Sequence, residues 1–227
     1  MKKIWKSYGV FTPTAYKIFG LAVIPCIILG LIELFVYANL FSAGISVILF
    51  FVYVVWYEVL VDYWIFGGIC EKSTRSMEYL KTSLRGESTL AAGMTGDCIR
   101  RGVYMLVPGF LLLVQKGSWR YLLALLIAEF VICLTLVIIR HWNYGVMMQL
   151  AIGGVSGIIY AILYGSCSYL MDCAGKRDLI LKIMVVIFVI ANVIINVFIV
   201  KHTVKCLRGS YYAVSYTHLT LPTNSRV

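Results

Sequence analysis

Four acidic residues lie within long apolar stretches of this sequence: Glu33, Glu58, Asp62 and Glu129. A charged side chain near the middle of a membrane costs about 2.5 to 3.5 kcal/mol on insertion scales, so it usually faces a partner or a polar cavity. Glu58 and Asp62 are four residues apart and therefore share one face of a helix. These acids could contact a cation or a substrate, or they could pair with a neighbouring helix; Asp62 could also be solvated at the membrane surface.

The sequence lacks the motifs of the common catalytic sites. It contains no G-x-x-x-x-G-K-[ST] phosphate-binding loop, no H-E-x-x-H zinc motif and no G-x-S-x-G nucleophile motif. Its seven cysteines form no C-x-x-C pair, which gives no support to a zinc or redox site. We therefore predict no catalytic residue, no metal site, no cofactor and no enzymatic activity.

The composition indicates a membrane protein. Of the 227 residues, 61% are hydrophobic and 13% are charged, and the mean hydropathy is +0.90. Soluble domains are closer to half apolar and a quarter charged, so a water-soluble globular enzyme is excluded. The formal net charge of +10 is expected to serve anionic lipid and membrane orientation, and we predict no nucleic-acid partner.

Six apolar stretches are long enough to cross a bilayer, which takes roughly 20 residues of helix. They must be helical because lipid offers the backbone no hydrogen-bond partner. The predicted fold is therefore all-α and polytopic, with a transmembrane domain at 18–213. An N-terminal segment at 1–17 either lies in the membrane interface as a short helix or forms a plain basic tail. The predicted spans are 18–38, 45–69, 99–115, 121–139, 144–171 and 179–200.

The basic residues predict the orientation. With a cytoplasmic N-terminus, the six spans place fourteen Lys and Arg residues on the inner side and five on the outer side. Arg100 and Arg101 are counted among the inner residues, at the start of the third span. Because inner loops carry the excess of positive charge, we predict a multi-pass protein of the plasma membrane, in a bacterium the inner membrane, with both ends cytoplasmic.

Residues 214–227 are predicted to be a non-native tail. The DNA of a transposon-end sequencing adapter, read in one frame, encodes the ten residues from Val214 to Thr223. Such segments are set aside in reasoning about a fold. The alternative is a natural polar tail.

The fifth predicted span carries small residues at every fourth position, a pattern that lets helices approach closely. The stripe could serve packing within the protein or a dimer interface. It consists of Gly153, Gly157, Ala161 and Gly165.

The longest polar stretch is a predicted cytoplasmic loop at about 71–98. Within it, 73–85 is predicted to form a short amphipathic helix that ends at Gly86, and a second amphipathic piece at 88–99 leads into the third span. The helix could lie on the membrane surface or dock to a soluble partner. Its apolar face consists of Met77, Leu80 and Leu84.

This loop also contains two short motifs, E-K-S at 71–73 and Y-L-K-T-S-L at 79–84. Together with the six spans, they resemble the ABC-2 type permeases, the membrane subunits of ABC transporters. Members of that family have an interfacial N-terminal helix, both ends inside and a coupling helix between spans two and three. Here Arg85 and Gly86 follow the second motif, where the family commonly has a proline.

The resemblance implies a permease-like subunit of an exporter, driven by a separate ATPase subunit. A single six-span chain would be half of such a transporter, so a homodimer or heterodimer is implied. Closure of the ATPase would pull on the coupling helices and reorient the paired membrane halves. The implied ATPase contacts are Tyr79, Leu80, Ser83 and Leu84.

Two other functions are compatible with the sequence. A non-transporting membrane scaffold or binding protein would need no ATPase and would tolerate acidic substitutions in the loop helix. An ion-coupled transporter subunit would use Glu58 and Asp62 and would transport without ATP.

Overall fold

The protein is helical throughout the part described by the computed structural model, and no strand occurs there. The predicted all-α class is therefore confirmed. The helices are α1 (Lys2–Phe11), α2 (Thr14–Ile18), α3 (Gly86–Lys116), α4 (Trp119–His141), α5 (Val146–Cys173) and α6 (Arg177–His218). The described residues are 2–12, 14–19, 23, 24, 27, 30, 57–59, 61, 62, 65, 66, 80, 83–116, 118–141, 146–173 and 177–218.

Three of these helices contain segments long and apolar enough to cross a membrane. The segments are Trp119–Ile139, Ala151–Met171 and Asp178–Leu207, and they coincide with the last three predicted spans. At 1.5 Å per residue, 21 residues extend about 31 Å, which matches a hydrocarbon core of about 30 Å. These helices indicate a membrane protein. Most of the first two predicted spans lies outside the described residues.

Helix α3 differs from its predicted boundaries. Gly86 was predicted to end a helix, but it begins α3, which continues without interruption through the predicted second piece and third span to Lys116. Residues 83–85 form the turn that precedes it, and the Arg85 carbonyl accepts the Thr89 N–H at 2.9 Å as the first bond of the helix. A Cβ at position 86 would collide with the Leu80 carbonyl, so the turn requires glycine. Gly86 is thus the first residue of α3, and most of the predicted helix at 73–85 lies outside the described residues.

The N-terminal helix packs directly on the first half of α3. Ser7, Tyr8 and Phe11 form the buried face of α1, whereas its lysines are exposed. The two backbones come close because α3 presents glycines at this contact: an added Cβ at Gly93 would lie 2.6 Å from the Phe11 ring. The Phe11 ring is in turn packed at 5.5 Å from that of Phe66.

Helix α4 is the centre of the bundle and packs against α3, α5 and α6. Within Trp119–Ile139, 72% of the residues of the apolar window are buried, against 17% for the windows of α5 and α6. The outer faces of α5 and α6 therefore present apolar side chains to the surroundings, as expected for helices in contact with lipid. One hydrogen bond from a side-chain amide crosses the interior between α6 and α4. The Asn192 side-chain N–H of α6 donates to the Leu126 carbonyl at 2.9 Å.

The small-residue stripe of α5 does not follow one packed face. Gly153 is buried and Gly157 and Ala161 are half-buried, but Gly165 is exposed, and a Cβ there would meet no atom within 4 Å. Residues four apart advance about 40° around a helix of 3.6 residues per turn, so the stripe rotates away from the interior. The packed face instead passes through Ser156, Tyr160 and Met171, which are buried.

Replacing Gly93 with alanine should destabilise the protein by about 1 to 3 kcal/mol, because the new methyl group overpacks the contact with Phe11. The free energy of unfolding of the purified protein in detergent would measure this. Gly154→Ala is the matched control, since a Cβ at Gly154 meets nothing within 4 Å and alanine is the better helix former. Equal stability of the two variants would show that α1 does not hold this position on α3.

Candidate functional site: a buried network of ion pairs

Three charged residues of α3 form the centre of a buried network. Asp97, Arg100 and Arg101 are at i, i+3 and i+4, so they share one side of the helix. All three are almost fully inaccessible, with Arg101 at 0% exposure. Arg100 and Arg101 were predicted to be cytoplasmic charges at the edge of the third span. The structure buries both side chains in the interior of the bundle, because α3 starts earlier than predicted and continues past them. Their assignment to the cytoplasmic side stays a prediction.

Arg100 pairs with Glu58 through both ends of its guanidinium group. Its Nη1 donates to Glu58 Oε1 at 3.0 Å and its Nη2 donates to Glu58 Oε2 at 2.5 Å. Its Nε donates to Asp97 Oδ1 at 3.1 Å, and the Tyr104 ring lies beneath the guanidinium carbon at 5.3 Å. Bidentate pairs of this kind are among the strongest hydrogen-bonded ion pairs. The negative charge of Glu58 is therefore neutralised by Arg100 of the neighbouring helix α3.

Arg101 connects α3 to α4 and α6. Its Nε donates to Glu129 Oε1 at 3.1 Å, and its Nη1 donates to Asp97 Oδ2 at 3.3 Å. Its Nη2 donates to the Asn196 side-chain oxygen at 3.3 Å. The Cys133 thiol lies 3.5 Å from Glu129 Oε1 and 3.6 Å from the same Asn196 oxygen. Asp97 thus bridges the two arginines, and one connected network joins four parts of the chain.

The network lies at the depth of the membrane centre if α4 spans the bilayer. Glu129 is ten residues from either end of the apolar segment Trp119–Ile139. Charges at such a depth are costly unless each is paired, so loss of a single partner is more damaging than loss of a whole pair.

No protein-family model, curated protein or solved structure matches this chain. The site is therefore interpreted from its own geometry.

The other predicted polar residues are placed separately. Asp62, four residues after Glu58 in the sequence, is also buried, and its side chain makes an interaction. Glu33 and Tyr79 lie outside the described residues. Of the predicted ATPase contacts, Ser83 is exposed and Leu84 is fully exposed. Leu80 is 1% exposed and belongs to the core, and this burial argues against a contact with a soluble partner.

A pair of tyrosines continues the packed region towards the N-terminus. The Tyr8 and Tyr16 hydroxyls are 3.2 Å apart, and burial raises the pKa of both phenols above the ordinary value. Both phenols therefore stay protonated, and the pair joins α1 to α2 as a neutral hydrogen bond.

Within the described part of the chain, no group of His, Cys, Asp or Glu has the arrangement of a metal site.

Sequence reasoning missed Asp97, Arg100 and Arg101, although a signal was present. Leu90, Met94, Asp97, Arg101 and Met105 recur at helical spacing and are all buried. The two charged residues occupy positions of the apolar face, which is the pattern of a buried ion pair. Treating 88–99 and 99–115 as separate elements concealed this continuity.

Replacing Glu58 with glutamine should destabilise the protein by about 3 to 5 kcal/mol, because it leaves the Arg100 charge buried with one partner fewer. Unfolding in mixed detergent micelles would measure the change. A double variant with Arg100→Met should recover part of the loss, because it removes the unpaired charge as well.

Asp178→Asn is the control for Glu58→Gln. Asp178 is exposed, so its replacement should change stability by no more than about 0.5 kcal/mol. If Glu58→Gln were as mild as this control, Glu58 would have to be solvated rather than held by Arg100.

Proposed function

We propose that this chain is a membrane-spanning subunit of an exporter of the ABC-2 permease type, driven by a separate ATPase subunit. In this proposal the chain crosses the plasma membrane six times with its N-terminus in the cytoplasm. Two such halves, identical or different, form the transporter. The three apolar helices support the membrane part of this proposal.

The observation that carries the proposal is the continuity of α3. The helix begins beside the exposed turn at 83–85 and reaches the buried arginines without a break. From Gly86 to Arg101 it extends about 22 Å at 1.5 Å per residue. A force applied to the turn would therefore be transmitted along a rigid rod to the ion pairs that hold α4 and α6.

The exposed turn also has the character of a docking point. Leu84 is a fully exposed apolar side chain, and Arg85 beside it is exposed and basic. Because Leu80 is buried, the proposed contact consists of Ser83 and Leu84 rather than the whole predicted helix face. Transmission from this turn to the network supports a subunit that is moved by a partner.

A second candidate function is an ion-coupled transporter subunit. The observation in its favour is the buried acidic group of Glu58, Asp97 and Glu129, since ionisable residues within membranes often mark ion pathways. It differs from the first proposal in its energy source. Transport in energised vesicles without ATP would favour it, and strict dependence on an ATPase partner would exclude it.

Leu84→Asp should reduce copurification with the neighbouring ATPase, and the ATPase activity of the complex, by about tenfold or more. This corresponds to the loss of one buried apolar contact, about 1.4 kcal/mol or more. Copurification of the tagged chain with the product of an adjacent ATPase gene would measure the effect.

Val10→Asp is the matched control, because it adds the same charge at another exposed apolar side chain that lies outside the proposed spans. It should leave the association unchanged. If Leu84→Asp associated as strongly as the control, or if no ATPase copurified with the native chain, the permease proposal would give way to a scaffold or an ion-coupled subunit.

The proposed topology places the turn at 83–85 inside and the α3–α4 connection outside. A cysteine introduced at Ser118 should react with a membrane-impermeant thiol reagent on intact cells. A cysteine at Leu84 should react only after lysis, and the native chain supplies the background. The opposite pattern of labelling would invert the proposed orientation.

A further inference from the structure

Among the described residues, the buried network contains more acidic than basic groups. Its described members are three carboxyl groups, from Glu58, Asp97 and Glu129, and two guanidinium groups, from Arg100 and Arg101. If every carboxyl group were ionised, the network would hold one uncompensated negative charge in an apolar interior. Such a charge is costly enough that a buried group usually becomes neutral instead.

The hydrogen bonds distinguish the three carboxyl groups. Both oxygens of Glu58 accept bonds from Arg100. The two oxygens of Asp97 accept bonds from Arg100 and Arg101 respectively. Glu129 uses Oε1 for Arg101 and Cys133, whereas its buried Oε2 has no partner among the residues that the structure describes. Glu129 is thus the carboxyl group with a free position for a proton.

A second unpartnered atom lies on the helix packed against Glu129. The side-chain amide of Asn192 donates to the carbonyl of Leu126, one turn before Glu129. The other polar atom of this side chain is the oxygen Oδ1. This Oδ1 is buried and has no partner in the described part of the chain. Both unpartnered atoms are acceptors, so each lacks a donor hydrogen from the described residues.

We propose that Glu129 is a proton-binding site, with an exchangeable proton on Oε2. The proton comes from the aqueous phase and forms one O–H bond, which converts an acceptor into a donor and brings the network to equal numbers of positive and negative charges. The carbonyl-like Oε1 still accepts the bond from Arg101. This inference is independent of any ATPase partner and concerns the membrane interior alone.

The surroundings of Glu129 on every packed helix are consistent with this state. The acidic groups Asp97 and Glu58 oppose a further negative charge, and Arg101 is shared with Asp97. The described groups of the network around Glu129 are Asp97, Cys98 and Arg101 on α3, Glu58 on the segment at 57–59, Cys133 on α4, and Asn192 and Asn196 on α6.

Infrared spectroscopy of the full chain in lipid nanodiscs tests the proposal. A protonated carboxyl group has a C=O stretching band that a carboxylate lacks, and this band shifts in D2O. We expect such a band at neutral pH, its loss at alkaline pH and its return on acidification. It should be absent from Glu129→Gln and retained in Asp178→Asn, which removes an exposed acid.

Stability gives a second readout. Glutamine imitates the protonated acid, because it keeps an acceptor for Arg101 and supplies a donor, so Glu129→Gln should unfold close to the wild-type temperature. Glu58→Gln should unfold at a clearly lower temperature.

Three results would overturn the proposal. The first is the absence of the exchangeable band in the wild type. The second is its persistence in Glu129→Gln, and the third is destabilisation or failure to fold of Glu129→Gln to the extent seen for Glu58→Gln. Sodium and potassium titrations at fixed pH separate a cation from a proton: stabilisation by Na+ together with no carboxyl band would assign the site to the cation.

Discussion

The pairing of Arg100 and Arg101 with three carboxyl groups is the interaction on which the rest of this structure depends. It joins the segment at 57–59, α3, α4 and α6 across an interior that consists mainly of apolar side chains. Apolar packing alone gives membrane helices little preference for one neighbour, because lipid tails are as apolar as leucine. Charged groups that must all find partners do impose a preference, since any rearrangement that separates a pair leaves a charge in a medium that solvates it poorly.

The same constraint explains how the first half of α3 is packed. A helix with two buried arginines has to be covered on several sides, and α1 provides one of the covers through Tyr8 and Phe11. Glycines on α3 allow the close approach. Beyond Met105, the side chains of Leu106, Val107 and Phe110 are exposed, which suits contact with lipid. Along its length, α3 therefore changes from a packed helix with buried charges to a helix with exposed apolar side chains.

The network also relates the two proposals. A rod that carries charged groups into the interior can transmit displacement from the exposed turn at 83–85. The effect of such a displacement would depend on whether Glu129 carries a proton, because an additional negative charge alters the charge balance of the ion pairs that hold α3 to α4. The proposed proton site and the proposed docking turn would thus lie at two positions along one mechanical path, although each is tested separately.

The sequence by itself determined the helical class and the positions of the last three apolar helices, because a run of about 20 apolar residues has few alternatives to a membrane helix. It also identified Glu58 and Glu129 as costly and in need of partners. It did not reveal those partners, since Arg100 and Arg101 look like ordinary charges at a membrane edge until the start of α3 is known. Helix boundaries depend on local hydrogen bonds such as that from Thr89 to Arg85. The pairing depends on which helices meet, and only the tertiary structure decided both, because contacts between residues as far apart as Glu58 and Arg100 leave no periodic pattern in the chain.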